Sequence, residues 1–274
     1  MLETRDHGVK VLRPDFDPAG FLSRVRGAAA RVLLLDYDGT LAPFRVDPME
    51  ARPYEGVRER LDRIRQGATR LVLVSGRPAR EVRGLLGLDP VPEVWGTHGW
   101  ERALPGREPS RVDLPEATRR GLDEAARAES AGKGPGRLER KPAALALHVR
   151  GLDADTAERT LSGARSAWEP LATRHGLELR EFDGGLELRV PGRDKGEAVR
   201  TVLSEARGSS PAGDVAAAYL GDDETDEDAF RAMRGRGAAI LVRTRLRETD
   251  ADAWIRPPAE LLRFLDDWIE ESTS

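Results

Sequence analysis

Hydrophobic positions along the chain follow two rhythms. Val32-Leu33-Leu34-Leu35 and Leu71-Val72-Leu73-Val74 are short continuous apolar runs, as expected of strands buried on both faces. Between them, residues 55–66 place Val57, Leu61 and Ile64 at i, i+4 and i+7, the single stripe of an amphipathic helix. Pro78 stands where another helix would start, because proline is tolerated in a first turn. The rhythm returns after Pro191: a helix over about 195–206, a strand at Val215–Leu220, a helix over about 225–234 and a strand at Ala238–Val242. A last helix follows Pro257-Pro258, with Leu261, Leu262, Leu265, Trp268 and Ile269 on one face. Strand and helix in alternation predict a parallel sheet with right-handed crossovers.

The stretch from 109 to 191 reads differently. A helix over about 116–130 and a glycine-rich segment, Gly132 to Gly136, precede two short strands around Lys141-Pro142; a helix over about 153–174 precedes two strands flanking Asp183-Gly184-Gly185, a hairpin signal. The expected fold is therefore an α/β core with a parallel sheet, 1–108 and 192–274, interrupted by an α+β domain of order αββαββ with an antiparallel sheet, 109–191. Within that domain Leu145, Leu147 and Val149 alternate with His148 and Arg150, and Leu186, Leu188 and Val190 with Glu187 and Arg189. One sheet face should lie under helices, and the other should be polar and open.

Composition narrows the function classes. The chain has 44 Lys+Arg against 48 Asp+Glu, a formal charge of −4, which argues against a basic surface for nucleic acid or an anionic membrane. With no cysteine among 274 residues, disulfides, thiolate-bound zinc and a cysteine nucleophile are excluded. The start, MLETRDHGVKVLRPDFDP, has no apolar leader, and no segment reaches the roughly 18 apolar residues of a membrane span, so a cytoplasmic protein is expected. Lysine occurs only at 10, 133, 141 and 195, so a lysine at a special position stands out.

The candidate chemistry lies at strand ends. Asp36-Tyr37-Asp38-Gly39-Thr40 follows the first apolar run, at the edge where open α/β sheets place ligands. Two carboxylates two residues apart can serve one phosphoryl group, the first as nucleophile and the second as proton carrier. Six acids crowd positions 222 to 228 after Val215–Leu220, a density that calls for a cation; oxygen ligands without cysteine point to magnesium. Ser75-Gly76-Arg77-Pro78 can hold phosphate oxygens at a helix start. Lys195, in Arg193-Asp194-Lys195-Gly196, offers a compact ammonium where arginine would impose a planar fork.

These segments, DYDGTL, SGR, the lysine of DKG and GDDETD, resemble in order and context the four motifs of haloacid dehalogenase superfamily phosphatases. LLLDYDGTLAPFRVDP, LVLVSGRP, GTHGWE, LELRVPGRDKGEAV and YLGDDETDEDAF are similar to the trehalose-6-phosphate phosphatase family over roughly residues 30–245. The resemblance implies a Rossmann-like haloacid dehalogenase core with Asp36 as nucleophile, Asp38 as general acid/base and Thr40 as its aid. It implies magnesium held by the Asp36 carboxylate, the Asp38 carbonyl and Asp222, with Asp226 and Asp223 in support. Ser75, Gly76, Arg77 and Lys195 would meet the phosphoryl group, and Lys195 would also orient Asp36. Lys141, His148, Arg150, Glu187 and Arg189 become candidates for sugar recognition from a mobile cap, with His98 and Glu101 on the core side.

The expected reaction is hydrolysis of trehalose 6-phosphate by a magnesium-dependent monomer acting on a small-molecule sugar phosphate. Association with a trehalose-phosphate synthase stays open. A phosphatase of the same scaffold acting on another ester, such as a glucosyl-phosphoglycerate, is the nearest alternative; a non-catalytic phosphate-sensing module would have no use for Asp38.

Overall fold

The structure, a computed structural model, describes residues 9–132, 134–182, 184–210 and 214–273. His7, Lys133 of the glycine-rich segment and Asp183 of the expected hairpin turn lie outside them. Two compact units divide the chain, one running to Pro109 and resuming at Asp194, the other spanning Ser110–Arg193.

In the first unit the elements are β1 (Lys10–Val11), α1 (Pro18–Gly27), β2 (Ala30–Leu35), α2 (Val57–Gln66), β3 (Thr69–Val74), α3 (Ala79–Leu86), β4 (Glu93–Gly96) and β5 (Glu101–Ala103). The second unit opens with β6 (Ser110–Arg111) and continues as α4 (Glu116–Gly132), β7 (Arg137–Lys141), β8 (Ala144–His148), α5 (Ala154–His175), β9 (Glu178–Phe182) and β10 (Gly185–Arg189). The first resumes with α6 (Lys195–Ser209), β11 (Val215–Gly221), α7 (Glu227–Met233), β12 (Ala238–Val242), β13 (Ala253–Ile255) and α8 (Ala259–Thr273).

The sheet of the first unit runs β1-β13-β12-β11-β2-β3-β4-β5, parallel from β13 to β4 and antiparallel at both ends. Side-chain alternation along β2 divides the core in two. Leu33 and Leu35 pack with Leu61, Ile64, Leu265 and Trp268 from α2 and α8, whereas Val32 and Leu34 pack with Val199, Val202 and Phe230 from α6 and α7. Helices on both faces are why the strands read as unbroken apolar runs.

In the second unit the antiparallel order is β7-β8-β10-β9, with α4 and α5 packed together. Leu145, Leu147, Leu186 and Leu188 are buried together with Trp168 of α5, as the alternation predicts. The opposite face departs from expectation, because Glu187 and Arg189 are buried as well. Their neighbours on β8 are Ala144 and Ala146, so long polar side chains can lie across small ones instead of extending into water. Among the described residues no helix is long and apolar enough to cross a membrane.

Candidate active site

Register brings three loops to one edge. Leu35 of β2 pairs with Leu73 of β3 and with Leu220 of β11, so Asp36, Ser75 and Asp222 emerge together beyond the carboxyl ends of the strands. The Asp36 N–H donates to Leu220 O at 2.9 Å, extending the ladder by one residue. The chain then turns sharply at Gly39, whose φ is +78°. A Cβ there would stand 2.0 Å from Asp222 Oδ2, so glycine is required both by the left-handed backbone and by the approach of the carboxylate from β11.

Asp36, Asp222 and Asp226 are buried, and one carboxylate oxygen from each lies within 4.8 Å of the others. Lys195, the first residue of α6, sends Nζ to Oδ1 of Asp36 and Oδ1 of Asp226, each at 2.8 Å. Asp226 is saturated: Tyr219 donates its hydroxyl to Oδ1 at 2.5 Å, and the N–H groups of Asp222 and Asp223 donate to Oδ2 at 3.1 and 3.0 Å. It therefore anchors Lys195 and the Asp222 loop. Thr40, a candidate aid to Asp38, donates its hydroxyl to Asp36 Oδ2 at 3.4 Å, four residues back across the turn.

The charges do not balance. Burial pushes the Asp36 carboxyl up to about 7, with Asp226 and Asp38 adding to the shift and Lys195 opposing it. Burial and the Asp36 and Asp226 carboxylates push Asp222 in the same direction. Burial works against the Lys195 ammonium, but Asp226 and Asp36 outweigh it and raise its pKa. Three carboxylates thus share the Lys195 ammonium and the Arg243 guanidinium, 4.0 Å from Asp222 Oδ2, and Asp222 Oδ1 is buried with no hydrogen-bond partner among the described residues. An oxygen-only donor set with surplus negative charge fits a hard divalent cation such as magnesium.

The acidic run is sorted by its neighbours. Asp223 caps the short turn Glu224–Asp226 by accepting from Glu224 N at 2.7 Å. Glu227 accepts from Thr249 Oγ1 at 2.9 Å and Asp250 N at 2.7 Å and pairs with Arg247, while Asp228 pairs with Arg231. Arg247 also donates to Asp223 O at 2.7 Å, and Arg243 to Asp222 O at 3.2 Å. Much of the repulsion foreseen from sequence is relieved by arginines, Arg243 Nη1 lying 4.0 Å from Asp222 Oδ2 as well, which leaves Asp222 Oδ1 as the oxygen without a hydrogen-bond partner among the described residues.

Ser75 Oγ accepts from Arg77 N at 3.1 Å, leaving its own hydrogen to donate elsewhere. Gly76 lies under His98: a Cβ at 76 would stand 2.7 Å from the imidazole ring. The GTHG segment is pinned to this loop by Thr97 N donating to Arg77 O at 2.9 Å and His98 N to Ser75 O at 3.0 Å. Thr97 and His98 both carry left-handed backbone, φ +50° and +53°, a strain of order 1–3 kcal/mol per residue that the surroundings must hold. Glu101 serves as a cap: because Pro78 offers no side-chain cap, Glu101 Oε2 accepts from Ala79 N at 2.8 Å at the start of α3. Arg77 forms a fork with Asp38, Nε to Oδ2 at 2.5 Å and Nη2 to Oδ1 at 2.7 Å.

In the second unit Lys141 Nζ reaches Glu187 Oε1 at 2.8 Å across the alanines of β8. His148 Nε2 lies 2.6 Å from Glu139 Oε2 and its ring meets Phe182 edge-on. Arg189 donates to Glu178 at 3.4 Å, and Arg150 packs over Gly184. Glu139 is held down to about 2: burial opposes this, and the His148 hydrogen bond with the Lys141 charge overrides burial.

Sequence reasoning overlooked Tyr219, Arg243, Arg247 and Glu139. Only Tyr219 carried a signal: a phenol in the buried strand VAAAYLG needs a partner for its hydroxyl.

A doubly wound parallel sheet whose first central strand ends in an aspartate, facing a lysine and further acids across the carboxyl edge, has the fold of haloacid dehalogenase-like hydrolases. The chain belongs to the trehalose-phosphatase family, whose model matches residues 34–252. It is 34% identical over 269 residues to probable trehalose-phosphate phosphatase 9 of Oryza sativa subsp. japonica, covering 85% of this chain and 68% of that protein. To the trehalose-phosphate phosphatase of Mycobacterium avium it is 34% identical over 229 residues, 79% of this chain but 56% of that one. The C-terminal domain of C. albicans trehalose-6-phosphate phosphatase shares the fold, with a TM-score of 0.80 at 22% identity over 95% of this chain and 99% of that domain.

Proposed function

We propose that the chain hydrolyses trehalose 6-phosphate to trehalose and phosphate through a phosphoryl group carried on Asp36. The observation that carries this reading is that Asp36 lies 2.8 Å from Lys195 and shares a buried carboxylate cluster with Asp222, one oxygen of which has no hydrogen-bond partner among the described residues. Held by the Asp36 and Asp222 carboxylates and the Asp38 carbonyl, magnesium would supply the positive charge that lets a phosphate dianion approach Asp36.

The remaining work falls to side chains. An Asp36 oxygen attacks phosphorus; the ester P–O bond breaks, and its electron pair leaves on the sugar oxygen, which takes a proton from Asp38. Asp38 then accepts a proton from water as the water oxygen attacks phosphorus and the bond to Asp36 breaks. Lys195 keeps Asp36 oriented and pairs with the phosphate, Ser75 donates its hydroxyl, and Gly76 lets the loop backbone come close. Asp226 holds Lys195 and the Asp222 loop; Asp223 holds the turn.

For the sugar we propose Glu187 as the principal acceptor of hydroxyl hydrogens, oriented by Lys141, with Arg189, His148 and Arg150 of the same unit as further candidates. A buried carboxylate at this position disfavours a substrate bearing a carboxylate of its own, which weighs against a glucosyl-phosphoglycerate.

Phosphate release from trehalose 6-phosphate, glucose 6-phosphate and a glucosyl-phosphoglycerate, each with and without magnesium, tests the reading. Magnesium-dependent preference for trehalose 6-phosphate is expected. Preference for another ester overturns the substrate, and metal-independent turnover overturns the mechanism.

A further inference from the structure

Arg77 belongs, by its place in SGRP, with the phosphate-binding residues, yet its guanidinium is committed to another group. Nε and Nη2 grip both oxygens of Asp38, at 2.5 and 2.7 Å, and the Arg77 side chain is only 9% exposed. Its Nη1 lies 3.7 Å from Oε2 of Glu81, in the first turn of α3, and its guanidinium carbon stands 5.8 Å from the centre of the Tyr37 ring. A planar fork on a carboxylate allows one orientation of that carboxylate, which a lysine could not impose.

We infer that Arg77 is the positioning residue for Asp38, with Glu81 as the counter-charge that keeps the guanidinium paired when Asp38 turns to the leaving oxygen. A carboxyl group whose two oxygens both lie in the fork cannot deliver a proton, so each transfer requires Asp38 to free one oxygen. Glu81, already within 4 Å, keeps Arg77 from becoming a buried charge without a partner at that moment. The arrangement holds the acid/base carboxylate, two residues after the nucleophile, from the neighbouring SGRP loop.

The inference rests on the proposed acid/base role of Asp38, and the following test separates the two. The sugar ester needs a proton on its leaving oxygen, whereas p-nitrophenyl phosphate releases a phenolate that does not. kcat/KM reports only the steps through leaving-group departure. Arg77→Gln is expected to lower kcat/KM on the order of 100-fold for trehalose 6-phosphate and less than about 10-fold for the aryl ester. Arg77→Lys, which keeps the charge but loses the fork, should show the same selectivity to a smaller degree while melting like the wild type. Asp38→Asn should match the selectivity of Arg77→Gln, and the double variant should fall no more than about 3-fold below Asp38→Asn.

Equal losses for both esters, or multiplicative losses in the double variant, overturn the inference and return Arg77 to the phosphate. If Asp38→Asn itself shows no dependence on the leaving group, the acid/base reading fails and the inference falls with it.

Discussion

Lys195 Nζ lies 2.8 Å from Oδ1 of Asp36, and both side chains are buried. A chain that writes 44 cationic residues with only four lysines places one of them here, between two carboxylates from different strand ends. An ammonium can sit between two oxygens at equal distance; a guanidinium would need a plane and a larger volume. Lys195→Arg should therefore lose at least about 100-fold in turnover, of the order seen when one preorganised donor is removed. Lys195→Met, which leaves the carboxylates without their cation, should cost about 3–5 kcal/mol in urea denaturation. A Lys195→Arg enzyme within a few-fold of wild type would show that charge alone suffices.

Gly39 and Asp222 make a second, geometric prediction. Because a Cβ at 39 would stand 2.0 Å from Asp222 Oδ2, Gly39→Ala should drive that carboxylate from its place. Calorimetric titration with magnesium should show binding to the wild type, and binding weakened at least about 10-fold in both Gly39→Ala and Asp222→Asn, on the scale of disturbed metal ligation. Unchanged magnesium affinity in both variants would remove Asp222 from the metal site.

Acid stability should report on Glu139. Its carboxyl is held down to about 2 from an ordinary value of 4.5, so the native state favours its ionised form. The sign follows from linkage: this stabilisation is fully present above about pH 4.5 and is lost as pH falls through about 2. At most about 3 kcal/mol is involved, reduced by the partial exposure of the pair. Urea denaturation from pH 6 to 2.5 should show a steeper acid loss for wild type than for Glu139→Gln. Parallel curves would mean that the Glu139–His148 contact contributes nothing to folding.

What could be read from sequence depended on how much pattern each feature carries. β2, β3, β11 and β12 lie under helices on both faces, so their apolar runs announced them, and α2 and α8 carried full stripes. β1, β4, β5 and β13 are two to four residues long; β4 buries Glu93 and β13 leaves Trp254 half-exposed, so no periodicity could mark them. At the site, residue type pointed to the neighbourhood, but partners were invisible. With so many arginines and acids, nothing in SGRP says that Arg77 chooses Asp38. Nothing in GTHGWE says that Glu101 caps a helix begun by a proline 23 residues earlier. Those choices are made by loops that meet only once β2, β3 and β11 are aligned.

The central claim is that Asp36 carries the phosphoryl group, and trapping it is the most direct test. Trehalose 6-phosphate labelled in its phosphate would be mixed with excess protein and magnesium, quenched in acid within one turnover and digested for mass spectrometry. An acid-stable, hydroxylamine-labile phosphoryl group is expected on the peptide containing Asp36 and absent from Asp36→Asn, which should be folded and inactive. Label on another residue, or near-wild-type phosphate release by Asp36→Asn, would contradict it.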